Sequence, residues 1–131
     1  MPATLPPRAL ELIDRPVIAA FTTLHADGSP HTTPVWIARD GQVLLVNTAS
    51  GRVKTRNVAR DPRVALCLVD PSDLLNAVAL EGTVIEVTTE GADELIDALS
   101  LKYTGNPTFG AHEPGRHRVT LRIRCDRLLL P

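Results

Sequence analysis

Aromatic residues are scarce in this sequence. They make up 3% of its 131 residues. A protein that stacks the bases of single-stranded nucleic acid needs several exposed rings, and this chain has too few to build such a platform. Its formal net charge is −1, whereas general nucleic-acid binders carry a broad excess of basic residues. We therefore expect no nucleic-acid partner.

Cysteines and long apolar runs are also few. Cys67 and Cys125 both lie in apolar stretches, without a CxxC spacing or a nearby histidine, so we predict two buried free thiols and no metal site. No stretch approaches the ~18 apolar residues that span a membrane, and the N-terminus lacks an apolar signal core. These features favour a cytoplasmic protein without a membrane partner.

The hydrophobic content is ordinary, at 44%, and is enough to bury a core. We expect a single domain over residues 1–131. Periodicity and turn residues predict helices at 5–14, 52–60 and 90–103. They predict strands at 17–24, 31–38, 42–47, 63–70, 76–89 and 118–130, the first three forming an antiparallel meander through two Asp-Gly turns.

This order predicts a mainly β (α+β) fold, namely an antiparallel six-stranded split β-barrel with short flanking helices. Two residues refine the prediction. Pro34 removes a ladder donor, which places its strand at an edge or at a bulge. Gly82 lies near the middle of a long strand and marks a bulge or bend. Residues 104–117 are rich in turn formers and form a long loop.

Positive charge collects in one short segment, S-G-R-V-K-T-R-N at residues 50–57. It contains Lys54, and the only other lysine is Lys102. The segment begins a predicted helix, with Ser50 or Thr48 as candidate N-cap. Cations and free N–H groups at a helix start favour an anion, usually phosphate. The alternative is a solvated basic face of a surface helix.

The meander, the stretch L-H-A-D-G-S-P-H-T-T-P-V-W, the block K-T-R-N-V-A-R-D-P-R-V-A and the strand E-G-T-V occur together. This combination resembles the pyridoxamine 5′-phosphate oxidase-like split-barrel superfamily. It is most similar to the branch that depends on the deazaflavin coenzyme F420. The resemblance extends from about residue 10 to about residue 130.

The resemblance implies a homodimer with the cofactor in a groove between subunits. Positions in the block after the third strand would bind the cofactor's phosphate, and those on the second strand would lie along its ring. An arginine from position 56, position 60 or the last strand would screen the glutamate tail of F420. The implied cofactor-binding residues are Pro34, Val35, Trp36, Asn47, Thr48, Ser50, Arg52, Lys54 and Thr55.

The implied function is reduction of a small organic acceptor by hydride from reduced F420. The alternatives are an FMN enzyme of the same fold and a non-catalytic protein that binds a cofactor or haem. No catalytic side chain can be assigned. His31 is either a proton donor or a surface residue of its strand, and Tyr103 is either a proton donor or a core and interface residue. Trp36 can stack on the ring, fill the dimer interface, or do both. Pro114 breaks H-E-P-G-R-H, so this segment lacks the helix of a zinc motif.

Overall fold

The computed structural model describes residues 2–129. Three helices and seven strands follow one another along the chain. They are α1 (Pro7–Asp14), β1 (Ala19–Leu24), β2 (Pro30–Val35), β3 (Ile37–Asp40), β4 (Val43–Ala49), α2 (Val53–Arg60), β5 (Arg63–Asp70), β6 (Asp73–Thr88), α3 (Ala92–Thr104) and β7 (Arg118–Leu128). The strands form one antiparallel sheet with the order β2-β1-β5-β6-β7-β4-β3.

The two edges of this sheet, β2 and β3, are consecutive in the chain and are separated only by Trp36. The sheet must therefore curl until its edges approach each other, which is the geometry of a split barrel. This confirms the predicted fold class and the edge position of Pro34. The prediction of six strands was wrong, because the segment 31–38 divides at Trp36. Both antiparallel pairings of the predicted meander form, β1 with β2 and β3 with β4, but this division places them at opposite edges of the sheet.

The barrel interior is filled by alternate residues of the strands, as the period of two requires. In β5, for example, Val64, Leu66 and Leu68 are buried. Helix α1 closes the barrel with Leu12 and Ile13, which are almost fully buried. The same alternation corrects one prediction, because Cys67 lies on the outer face of β5 and is exposed, whereas Cys125 is buried as expected.

The long strand β6 is irregular at the predicted glycine. Its register with β7 shifts between Glu81 and Gly82, which confirms a bulge at this point. A side chain at position 82 would place its Cβ 2.6 Å from the carbonyl oxygen of Arg124. Only glycine allows β6 and β7 to approach this closely. No helix within residues 2–129 has the length and apolar content needed to cross a bilayer.

Candidate functional site

A cleft opens beside Trp36, at the point where the chain crosses from β2 to β3 (the Trp36 crossover). Strand β4, helix α3 and the start of α2 form its other sides. Its volume is about 220 Å³. Seven of the nine predicted site residues line it, so residues that are far apart in the sequence lie together in the structure. The lining consists of Pro34, Val35, Trp36, Asn47, Thr48, Arg52, Lys54, Ile96, Leu99, Phe109 and Arg118.

The other two predicted residues, Ser50 and Thr55, support the loop before α2 and do not line the cleft. The Oγ of Ser50 accepts a hydrogen bond from the N–H of His117 (3.1 Å), and the Oγ1 of Thr55 donates to the carbonyl of Ala49 (2.8 Å). The predicted Ser50 or Thr48 cap was wrong. The N-cap is Arg52, and no side chain caps α2. The N–H groups of its first turn are left for water or a bound anion.

Three cations, Arg52, Lys54 and Arg118, line the cleft together. Burial lowers the pKa of Lys54, and the charges of Arg52 and Arg118 lower it further. Burial likewise lowers the pKa of Arg118, with Arg52 adding to the effect. The mutual repulsion of these groups raises the free energy of the charged cleft, and an anion placed among them would relieve it.

Arg118 is held in place by a short relay of hydrogen bonds. Its Nε donates to the Oδ1 of Asn47 (2.8 Å), whose Nδ2 donates to the carbonyl of Ala92 (2.7 Å). Its guanidinium also lies 5.1 Å from the ring centroid of Phe109. The sequence analysis offered Arg56, Arg60 or an arginine of the last strand as a screen for the F420 tail, and pairing of β7 with β4 brings Arg118 of that strand to the cleft.

Two aromatic residues, Trp36 and Phe109, line the cleft, and a third, Tyr103, packs against Trp36. The ring of Trp36 stacks on Tyr103 at a centroid distance of 5.4 Å, and Phe109 meets Trp36 edge-on at 6.1 Å. Phe109 belongs to the 105–117 loop and was missed by the sequence analysis, as were Ile96 and Leu99 of α3. The apolar period of the predicted helix 90–103 includes both aliphatic residues, but it does not show that they line a cleft.

The hydroxyl of Tyr103 has a structural role. It donates to the carbonyl of Val17 (2.7 Å) and accepts from the N–H of Ile37 (3.1 Å), and burial raises its pKa. The neighbouring Lys102 donates to the carbonyls of Ile13 (2.6 Å) and Ile37 (2.7 Å). The end of α3 thereby fixes the backbone on the C-terminal side of Trp36.

We expect Tyr103→Phe to destabilise the protein by about 2 kcal/mol, because it leaves a backbone N–H and a carbonyl unpaired in a half-buried place. Chemical unfolding monitored by circular dichroism measures this change. The fluorescence of Trp36, the only tryptophan, should also change, because its packing against α3 loosens. An unfolding free energy equal to that of the wild type would show that these two bonds are replaced by water at no cost.

A smaller cavity, of about 140 Å³, adjoins the cleft and shares Arg52 and Lys54 with it. Its other lining residues are His31, Thr33 and Val53. The Nδ1 of His31 and the Oγ1 of Thr33 are buried and have no hydrogen-bond partner among the described residues. Unpaired buried polar atoms are costly, so rotation of either side chain toward a polar group placed in the cavity would be favourable.

A larger hollow, of about 620 Å³, lies against another part of α2 and includes Arg56 and Arg60. Both guanidinium groups are already engaged there. Arg56 donates to the carbonyl of Gly51 (3.3 Å), and Arg60 donates to the carbonyl of Leu24 (2.9 Å). The hollow is open and its lining has two arginines and no aromatic ring besides histidine, whereas three cations and two aromatic side chains line the cleft, which therefore remains the candidate site.

The H-E-P-G-R-H segment lies in the loop beside the cleft. Glu113 forms an ion pair with Arg52 and a second one with Arg116, at 3.4 Å. Across residues 2–129 no group of three or more His, Cys, Asp or Glu side chains is arranged to hold a metal ion.

Solved structures with this arrangement cover nearly the whole chain. An F420 reductase superposes with a TM-score of 0.85 at 24% identity, over 97% of this chain and 100% of that one. A conserved hypothetical protein from Mycobacterium tuberculosis gives a TM-score of 0.71 at 22% identity, covering 97% and 84% of the two chains. HutZ, the haem storage protein of Vibrio cholerae, gives 0.61 at 14% identity, covering 98% and 95%. At these identities the matches establish the shared fold.

The family model for pyridoxamine 5′-phosphate oxidase matches residues 5–128. The match includes the cation-bearing start of α2, the Trp36 crossover and the strand that carries Arg118. By this match and by its split-barrel fold, the chain belongs to the pyridoxamine 5′-phosphate oxidase family.

Proposed function

We propose that this protein is an oxidoreductase that binds coenzyme F420 and reduces a small organic acceptor. The observation that carries the proposal is the convergence of Arg52, Lys54 and Arg118 on one cleft beside an aromatic wall and a sheet edge. When bound, the reduced deazaflavin supplies a hydride to the acceptor. Everything else required of the chain is binding and orientation.

The cations provide the anchor for the cofactor's phosphate. Within the described residues, neither Lys54 nor Arg118 has a carboxylate partner, and Arg52 is paired with the exposed Glu113. Charge-assisted bonds from such groups are the usual means by which proteins hold phosphate. The uncapped first turn of α2 adds backbone donors to the same region.

The remaining walls suit a flat ring with polar edges. Trp36 and Phe109 offer apolar surface, and the buried side chains of Ile96 and Leu99 of α3 add to it. Since β2 is a sheet edge, its outward backbone groups are free to bond the polar rim of a ring. Lys102 and Tyr103 hold the adjoining crossover in place.

The small cavity with His31 and Thr33 favours F420 over FMN. FMN ends at its phosphate, whereas the phosphate of F420 continues into a polar chain. A chain that passes the shared cations Arg52 and Lys54 enters the cavity where two buried polar atoms lack partners. Hydrogen bonds to those atoms stabilise bound F420, whereas FMN has no chain beyond its phosphate to form them.

Titration of the purified protein with F420, FMN and haem tests the proposal directly. Tryptophan fluorescence provides the signal, because Trp36 lines the cleft. We expect F420 to bind most tightly. Submicromolar binding of FMN without binding of F420 would replace the proposal by an FMN enzyme of the same fold. Binding of haem alone would replace it by a haem-binding function.

The Thr33→Val variant separates the two flavin-type cofactors. Valine keeps the shape of threonine and its preference for strands, and removes only the hydroxyl. We expect F420 affinity to fall about two- to tenfold, the worth of one neutral hydrogen bond, with FMN affinity unchanged. The ligand-free variant should be slightly more stable than the wild type, because an unpaired buried hydroxyl is gone. An equal loss for both cofactors would show that the cavity does not receive the tail.

We further propose that the protein is a homodimer. An apolar hollow on the outer face of the sheet lies next to the cleft and includes the half-exposed Ile18 and Val69 together with Cys67. Pro34 lines both the hollow and the cleft, so a second copy seated on the hollow would also wall the cofactor groove.

Light scattering at micromolar concentration should give twice the mass of the chain. A charge placed in the hollow by Ile18→Glu should shift the protein toward monomer and weaken F420 binding at the same time, because the groove loses one wall. A wild-type monomer that still binds F420 would contradict the dimer and leave the cofactor assignment intact.

A further inference from the structure

The loop beside the cleft places a carboxylate on the anion site. Glu113 pairs with Arg52, which lines the cleft, and with Arg116, whose Cζ lies 3.9 Å from the position a Cβ of Gly51 would take. Burial and the charge of Arg52 lower the pKa of Arg118, and the carboxylates of Asp93 and Glu113 offset part of this effect. One carboxylate thus pairs both with a cation of the cleft, Arg52, and with a cation of its own loop, Arg116.

The ion pair between Arg52 and Glu113 is exposed to solvent, so another anion can displace the carboxylate. The side chains of Arg52 and Glu113 are 48% and 39% exposed. Exposed ion pairs contribute little to stability, because solvent screens them. A buried carboxylate would be hard to displace from Arg52, whereas the exposed carboxylate of Glu113 can be displaced by an anion of higher charge.

The loop segment that carries Glu113 is fastened at its ends. At one end the N–H of Phe109 donates to Asp97 (2.8 Å), and at the other the backbone of His117 is bonded to Ser50. Between these points, over residues 110–116, the side-chain hydrogen bond to the rest of the described chain is the one that Arg52 donates to Glu113. Gly110 and Gly115 flank this contact, and Gly115 has a positive φ of 76°.

We propose that Glu113 is a built-in competitor for the anion site. Its carboxylate occupies Arg52 until an incoming phosphate takes that cation, and the segment 110–116 is then released. The inference rests on the proposed function, since it takes the ligand's phosphate as the competing anion. Binding of an anion in the cleft and release of the segment 110–116 are then coupled, so measuring either one reports on the other.

Phosphate titration of Glu113→Gln against wild type tests the competition, with inorganic phosphate as the probe and Trp36 fluorescence as the signal. We expect the variant to bind phosphate about two- to fivefold more tightly, the range for one exposed ion pair. Glu81→Gln is the matched control, because Glu81 forms a comparable exposed pair with Arg127, at 3.9 Å, outside the cleft. That control should bind phosphate as the wild type does.

Hydrogen exchange over residues 110–116 provides a second reading. Exchange should be faster in ligand-free Glu113→Gln than in the wild type, and saturating phosphate should bring the wild type close to the variant. Equal or weaker phosphate binding by Glu113→Gln would overturn the competitor role and make Glu113 a support for Arg52. Tighter phosphate binding by the variant, with neither F420 nor FMN bound by either protein, would overturn the proposed cofactor function alone.

Discussion

Replacing Lys54 by alanine is expected to weaken cofactor binding about ten- to a hundredfold while leaving the fold intact. One charge-assisted bond to phosphate is worth roughly 1.5–3 kcal/mol, which corresponds to that loss of affinity. The unfolding free energy should not fall, because alanine is the better helix former. In addition, burial and two neighbouring arginines already disfavour the charge of Lys54. Fluorescence titration and chemical unfolding measure the two quantities separately.

Two further variants make the test specific. Arg52→Ala should cost less affinity than Lys54→Ala, because the wild-type arginine must first give up its ion pair with Glu113. Arg63→Ala is the matched control, since Arg63 lies beyond α2, is 74% exposed and pairs with Asp61. Its affinity should match that of the wild type. Equal cofactor binding by Lys54→Ala and the wild type would support the alternative interpretation, in which residues 50–57 form a solvated basic face of a surface helix.

Replacing Gly82 by alanine is expected to destabilise the protein by about 3 kcal/mol, at the upper end of the cost of overpacking. The added Cβ would lie 2.6 Å from the backbone oxygen of Arg124 and 3.0 Å from Cγ2 of Ile123. A backbone oxygen in a paired strand cannot move aside as a flexible side chain can. Either β6 separates from β7 or the bulge moves, and both disturb the strand that carries Arg118.

Gly110→Ala is the control for this substitution. Nothing lies within 4 Å of the Cβ position at Gly110, and its φ is not positive. Removing a glycine there should leave stability unchanged or raise it slightly, by lowering the entropy of the unfolded chain. Thermal unfolding should therefore separate the two variants by about 10 °C. Coincident melting curves would show that the bulge accommodates a methyl group.

Local chemistry was sufficient to predict several features of this fold. The two Asp-Gly turns, the proline-bearing edge strand and the bulge at Gly82 all follow from backbone restrictions that act within a few residues. The division of the second strand at Trp36 could not be predicted in this way. Val35 and Ile37 are both buried, so the alternation continues unbroken while the chain passes from one sheet edge to the other.

The residues of the candidate site fall into two groups, those that the sequence predicts and those that only the tertiary structure brings together. The sequence by itself determined that Arg52 and Lys54 lie at the start of a helix after a strand, because charge, glycine and helix signals are contiguous there. Only the tertiary structure decided that Arg118, Phe109 and Glu113 join them. Strand pairing across the sheet, which no local pattern encodes, brings Arg118 of β7 to the cleft. The aperiodic loop before β7 brings Phe109 to the cleft wall and Glu113 to Arg52.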